Sequence, residues 1–474
     1  MRIADLADQR VAVWGYGREG RAALAVLRAR LPELPLTLFC SETEKRSLHE
    51  QTARMGPLRQ GRIAAGGRHF SRDGLTSIID TPDVAALSAF DIVIKSPGIS
   101  AYRPEILLAQ HAGTRFTSGT ALWFAEHPEA RVIAVTGTKG KSTVAALIAH
   151  LLRGLGRRVA LAGNIGLPLL ELLDPLQAPD WWVVELSSFQ TREAGAVEVA
   201  VINNVYEEHL DWHGTRACYV ADKLALSAAA KTLVVNATQA DLMARMDAHA
   251  CGVGFGSDGG WHASASSILR GAQRVFDLTG SPLPGAHNAM NLCAALAAIE
   301  AAGEDAATAA ARIASFRPLP HRLQTLGERD GLTFVDDSIA TTPQATLEAL
   351  ASFSDRPMTV LVGGYERGLD WQPFAERMRA MPPHAIVTMG ANGTRVGDVL
   401  RAVGGNYRLE ATNSLADAVA IARALAPARG VVLLSPGAPS FDQFKDYAER
   451  GCEFARLAGF DPRSIGVIEW LGIA

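Results

Sequence analysis

At 474 residues, with 46 Lys and Arg against 49 Asp and Glu for a net charge of −3, the chain exceeds one core and predicts two to four domains. Both signs of charge are dispersed and no apolar run approaches the roughly 18 residues of a membrane span, so nucleic-acid and membrane roles lose ground. Acids within Met1–Asp8 stand where a secretory signal needs an apolar core, which makes the cytoplasm the expected location. Cys40, Cys218, Cys251, Cys293 and Cys452 form no Cys-x-x-Cys pair, so buried thiols are expected rather than zinc ligands or disulfides.

In chain order, Arg10–Trp14 reads as a strand, Gly15-Tyr16-Gly17-Arg18-Glu19-Gly20 as a turn opening an alanine-rich helix, and Leu36–Phe39 as a second strand. This is a Rossmann-type unit, yet NAD is a weak reading, because Phe39 leads into Cys40 and Ser41 with Glu42 only nearby, not a ribose-binding acid. Asp91–Lys95 is a later strand entering the turn Ser96-Pro97-Gly98, at the strand end where open sheets bind ligands. The first domain is expected to span residues 1–126.

Val132–Val135 then runs into Thr136-Gly137-Thr138-Lys139-Gly140-Lys141-Ser142-Thr143, an apolar strand, a glycine loop and a helix start. Inward-turned backbone N–H groups, the helix dipole, the Lys141 charge and a hydroxyl of Ser142 or Thr143 make this a grip for nucleotide phosphates and magnesium. ATP is the expected fuel. Val135 stands where the common pattern has its first glycine, so the loop is a shorter version.

Strands at 158–162, 181–186, 199–203 and 232–236 imply a second, larger parallel sheet; 289–302 reads as a helix and Phe316–Pro320 as a linker, which gives a domain at residues 127–316. Glu185 ends an apolar strand and is either a magnesium ligand or a solvated rim residue. The stretch Asn203–Gly214 crowds acids with His209 and His213, which could hold a second ion or form a polar loop with a hydrogen-bonded histidine. Lys223 looks locally like an ordinary exposed lysine.

In the last third, residues 317–474, strands at 332–336, 358–362, 385–389 and 431–435 predict another α/β unit. Three of them end in polar tips, Asp336-Asp337-Ser338, Gly363–Gly368 and Ser435–Ser440, and Arg322 follows Pro320-His321. Tips at one sheet edge suit a domain that presents a second substrate, and an arginine there would stabilise transferring phosphoryl charge.

Lys95-Ser96-Pro97-Gly98-Ile99, the glycine loop, Gly163-Asn164-Ile165-Gly166, Glu185–Gln190, His287–Asn291, Pro320-His321-Arg322 and Leu433–Pro436 together make nearly the whole chain resemble the Mur ligases. These are cytoplasmic ATP-dependent amide-forming enzymes of peptidoglycan precursor synthesis, with three α/β domains. The resemblance is strongest to those that add glutamate to UDP-N-acetylmuramoyl-L-alanine.

By that resemblance Gly17, Arg18, Ser96, Pro97, Gly98 and Asn164 would serve the UDP-sugar. Gly137 to Thr143 would hold ATP phosphates, with Ser142 and Glu185 on a first Mg2+. His209 would hold a second Mg2+, and Lys223 would carry a carbamate. Asn288 and Asn291 would contact adenine, Arg322 and Asp337 would add nucleotide contacts, and Ser440 and Tyr447 would lie near the incoming amino acid. Lys141, His209, Lys223 and Arg322 would be the catalytic groups. A monomer is expected.

Enzymes of this type that take D-glutamate commonly carry lysine where Ile339 stands, and Arg367 would supply the missing cation from another direction. The resemblance therefore favours the branch that ligates L-glutamate. The rivals are a D-glutamate ligase, a folylpolyglutamate synthase, a non-catalytic nucleotide-regulated protein and a Rossmann oxidoreductase.

Overall fold

The computed structural model describes residues 1–41, 44, 59–62, 68–72, 75–79, 81–206, 210–245, 252–353, 356–466, 468 and 471–474. Their strands form three sheets, of seven, ten and six strands. Two compact units emerge: Met1–Gly280 with Met290–Ala314 and Trp470–Ala474, and Ser281–Ala289 with Ser315–Glu469. The first unit carries two of the sheets and the second carries the third.

In the first sheet Val11–Trp14 is flanked on both sides by parallel strands, Leu36–Cys40 and Ile92–Lys95. All four of its residues are buried, which is why it reads as a continuous apolar run rather than an alternation. The helix Arg18–Arg30 starts at Gly17 directly after that strand, placing the glycine turn at the sheet's C-terminal edge. Residues 59–62, 68–72 and 75–79 add a meander beyond Leu36–Cys40.

In the central sheet Val132–Thr136 lies between Val197–Ile202 and Trp181–Glu185, all parallel, so the ends of these strands open on one edge. The larger parallel sheet expected from the sequence is present, with antiparallel additions at both ends. Trp261–Ser264, Ser267–Arg270 and Gln273–Asp277 form an antiparallel meander, and Gly472–Ile473 pairs antiparallel with Val159–Gly163 to form the far edge. Residues 252–277 mix glycine, serine and charge with isolated apolar residues, a composition that leaves a partly wet antiparallel ladder but hides it from a search for apolar runs.

The third sheet orders Leu332–Asp336, Val431–Leu434, Met358–Val362 and Ala385–Thr388 as parallel neighbours, with Gln324–Arg329 antiparallel at one edge. Before it, Pro318 and Pro320 bar regular structure, and His321 and Leu323 adopt positive φ of 59° and 46°. Among the described cysteines Cys40 and Cys293 are buried, while Cys218 and Cys452 are partly exposed, a correction to the expectation of burial throughout. Cys251 lies outside the described residues. No described helix is long and apolar enough to cross a membrane.

Candidate functional site

The phosphate loop is built as its sequence demands. Gly140 caps the helix Lys141–Gly154 at φ +77°, a left-handed conformation that a side chain strains. A Cβ there would also stand 2.4 Å from Asn291 Oδ1 and 2.6 Å from Asn203 Nδ2. Those amides buttress the loop from outside: Asn203 Nδ2 donates to Lys139 O and to Asn291 Oδ1, each at 2.9 Å. Asn204 Oδ1 accepts from the Lys139 amide at 2.8 Å, and the Thr138 amide donates to Asn204 O at 2.9 Å. Lys141 Nζ rests on Thr138 O at 2.9 Å, and Ser142 and Thr143 follow in the first helical turn.

Glu185 ends the neighbouring strand in register with Val135, the residue that leads into the loop. It is 1% exposed, so a solvated rim residue is ruled out. Its Oε1 accepts from Asn164 Nδ2 at 2.9 Å, while its Oε2 has no partner among the described residues. An unpartnered buried carboxylate oxygen costs about 1–3 kcal/mol, which a hard cation would offset, so the donor set fits magnesium. Among the described residues no cluster of three His, Cys, Asp or Glu forms; a magnesium ion that keeps waters and phosphate oxygens needs only one or two carboxylates. His209 lies outside the described residues.

His213 takes the plainer of its two roles. It is 1% exposed, with Nδ1 2.6 Å from Asp222 Oδ2 and Nε2 3.0 Å from Ser188 Oγ. Lys223, read locally as exposed, is in fact 2% exposed and donates to Gly137 O at 2.8 Å. It therefore belongs to the phosphate loop. The sequence held no signal for Asp222, an acid in a short helix, yet its carboxylate bonds Tyr102, Arg192 and His213.

In the same unit the turn at Ser96–Gly98 packs against the glycine turn at the first sheet's edge. Gly15 has φ +96°, and a Cβ on it would stand 2.6 Å from Ser96 Oγ. Among the described residues nothing lies within 4 Å of the Cβ positions of Gly17 and Gly98, so those residues leave both backbones approachable. Arg18 Nη1 donates to Gly166 O at 3.1 Å, tying this turn to the loop that carries Asn164. Trp212 Nε1 donates to Pro97 O at 3.0 Å, and buried Lys95 lies 3.8 Å from Glu193. Burial lowers the Lys95 pKa, and Glu193 opposes that shift. Glu19, beside Arg18, is pushed up to about 7 by burial and by the charges of Glu193 and Glu171.

In the second unit the three polar tips meet at one edge, as parallel neighbours must. Asp337 accepts from Ser435 Oγ at 2.8 Å and from the Leu323 amide at 3.2 Å. Burial pushes its carboxyl up to about 7 against those bonds and the nearby charge of Arg322. The Tyr365 amide donates to Pro439 O at 2.8 Å, joining the 363–368 loop to the one that ends at buried Ser440. Arg367 is exposed on that loop. Tyr447 opens a helix with its ring 5.9 Å from His321, and Ser338 Oγ donates to its carbonyl at 2.8 Å. Asn288 Nδ2 caps locally onto Pro284 O at 2.7 Å, whereas Asn291, in the first unit, supports the phosphate loop.

A strand, a glycine loop with left-handed caps and a buried, half-satisfied carboxylate define a nucleoside-triphosphate-binding α/β protein with two further α/β domains. The comparisons narrow this class. The Mur ligase middle domain family model matches residues 135–299, and the Mur ligase glutamate ligase domain matches residues 321–437. A protein of Xanthomonas euvesicatoria pv. vesicatoria (strain 85-10) named UDP-N-acetylmuramoyl-L-alanine–L-glutamate ligase is 49% identical over 487 residues, 100% of both chains. One of the same name from Xylella fastidiosa (strain Temecula1 / ATCC 700964) is 47% identical, again over 100% of both. The solved UDP-N-acetylmuramate-alanine ligase MurC of Thermotoga maritima shares the fold with a TM-score of 0.57 at 18% identity, covering 95% of this chain and 99% of that one. The chain belongs to the Mur ligase family.

Proposed function

We propose that this protein is an ATP-dependent ligase joining L-glutamate to UDP-N-acetylmuramoyl-L-alanine in the cytoplasm. The observation that carries the nucleotide chemistry is the orphaned Glu185 Oε2 beside the Gly137–Thr143 loop; the full-length relatives named above support the substrates. Residues 1–126 bind the UDP-sugar through Gly17, Arg18 and Ser96 to Gly98. Residues 127–316 bind ATP, and residues 317–474 bind the amino acid through Arg367, Ser440 and Tyr447.

The substrate carboxylate attacks the γ-phosphorus, ADP leaves, and the acyl phosphate so formed is attacked by the glutamate amine. Phosphate departs and the amine loses a proton. The loop amides and Lys141 neutralise phosphate charge and hold the γ-phosphoryl group in line for attack, while Ser142 and Glu185 would hold a metal ion. Mg2+, when bound there, supplies Lewis-acid stabilisation of the oxygen charge that accumulates during transfer. His209 and a carbamate on Lys223, formed when the neutral amine adds CO2 and releases one proton, would hold a second metal ion. The working form is a monomer.

The test offers each enantiomer of glutamate with UDP-N-acetylmuramoyl-L-alanine, ATP and Mg2+ to the purified protein and follows phosphate release. Turnover that is faster with L-glutamate is expected. Faster turnover with D-glutamate makes this the D-adding ligase, and no substrate-dependent ATP hydrolysis removes the reading altogether.

A further inference from the structure

The helix Arg216–Leu224 that carries Lys223 is nine residues long and capped at its start by Thr215, whose hydroxyl accepts from the Cys218 amide. A helix this short is marginal by itself, so its rotation about its own axis must be set from outside. Four groups converge on Asp222, the residue before Lys223. Tyr102 OH lies 2.9 Å from each carboxylate oxygen, Arg192 Nε pairs with Oδ1, and His213 Nδ1 lies 2.6 Å from Oδ2. The Asp222 carbonyl accepts from Thr191 Oγ1 at 2.6 Å. With Tyr102 and Arg192 donating, His213 also donates through Nδ1, and its Nε2 is left to accept the Ser188 hydroxyl proton at 3.0 Å.

Successive helical residues project about 100° apart. Fixing the azimuth of Asp222 toward Tyr102, Arg192 and His213 therefore fixes that of Lys223, which enters the phosphate loop and meets Gly137 O at 2.8 Å. We propose that Asp222, held by Tyr102, Arg192 and His213, is the positioning residue that aims Lys223 into the nucleotide site. The inference rests on the role given to Lys223 above. Tyr102 follows the Ser96–Gly98 turn, so the clamp also anchors the UDP-sugar side of the unit to the lysine.

The test compares Asp222→Asn, Tyr102→Phe and Lys223→Ala in the full-length protein. Carbamate on the lysine is read by carbon NMR after equilibration with 13C-bicarbonate, alongside kcat, KM for ATP and the Mg2+ concentration giving half-maximal rate. Displacing an outer partner of a metal-site group costs about 10- to 100-fold in activity or metal affinity. Asp222→Asn is expected to lower kcat and raise the Mg2+ requirement within that range and to weaken the carbamate signal, leaving KM for ATP within about twofold. Tyr102→Phe, which keeps the other partners, shifts the same quantities less and carries the test should Asp222→Asn fail to fold. A carbamate signal that does not weaken, together with a Mg2+ requirement that does not rise, in both Tyr102→Phe and Asp222→Asn overturns the positioning role, even where kcat falls. Full activity of Lys223→Ala instead overturns the role of the lysine itself.

Discussion

A side-chain hydrogen bond joins Asn164 to Glu185, Nδ2 to Oε1 at 2.9 Å, and it decides which carboxylate oxygen stays without a partner among the described residues. The Asn164 amide also donates to the Glu185 carbonyl at 2.9 Å, so side chain and backbone are pinned together. Asn164→Ala frees the carboxylate to rotate, and the Mg2+ concentration for half-maximal rate is expected to rise about 10- to 100-fold. Glu185→Gln keeps the shape but loses the charge and should be more severe. Titrating Mg2+ against phosphate release checks both, and an unchanged Mg2+ requirement in Glu185→Gln removes Glu185 from the metal site.

Gly140 and Gly17 make a contrasting pair. Gly140→Ala forces a side chain into the left-handed region, at about 1–2 kcal/mol, and against Asn291 Oδ1 at 2.4 Å, so both thermal stability and ATP use should fall. At Gly17 no described residue lies within 4 Å of the new Cβ, so Gly17→Ala should melt like the parent yet bind UDP-sugar more weakly. Calorimetric melting and sugar-nucleotide binding separate the two, and a large drop in melting temperature for Gly17→Ala would contradict the open turn.

Glu19 gives the first unit a pH dependence. Its folded pKa of about 7 stands above the ordinary 4.5, so the folded state keeps a proton that the unfolded chain releases between those values. The stability it contributes is full below pH 4.5 and is lost as pH rises through about 7. Replacing it with a neutral isostere, Glu19→Gln, should flatten the decline in melting temperature between about pH 5 and pH 8. Parallel curves for parent and variant would refute the buried, crowded carboxyl.

Arg367 is exposed in the second unit and is the cation proposed for the amino acid's carboxylate. A charged hydrogen bond contributes about 1.5–3 kcal/mol, so Arg367→Ala should raise KM for glutamate by roughly 10- to 100-fold while leaving KM for ATP alone. Steady-state kinetics with each substrate varied in turn decides it; an unmoved glutamate KM assigns the carboxylate to another group.

Strands buried on both faces, such as Val11–Trp14 and Val431–Leu434, are legible because their apolar runs have no polar interruption. The phosphate loop is equally plain, since glycine at left-handed positions and a following lysine leave few other uses. The meander over residues 261–277 was hidden by its mixed composition. Lys223 and Asp222 were hidden for another reason: a nine-residue helix with charged members looks like surface until residues 102 and 192, distant in sequence, close around it together with the nearby His213. Burial of that kind is a property of tertiary packing and leaves no local periodicity to find.

Gly472–Ile473 zips onto Val159–Gly163, with Arg153 donating to the Val159 and Gly472 carbonyls at 2.7 Å and 3.3 Å. During translation, then, the ATP-binding lobe waits with one flank bare until some three hundred later residues have left the ribosome. An unpaired flank of that sort recruits stray strands, so nascent chains stalled within the last lobe should be the ones that chaperones hold or that clump.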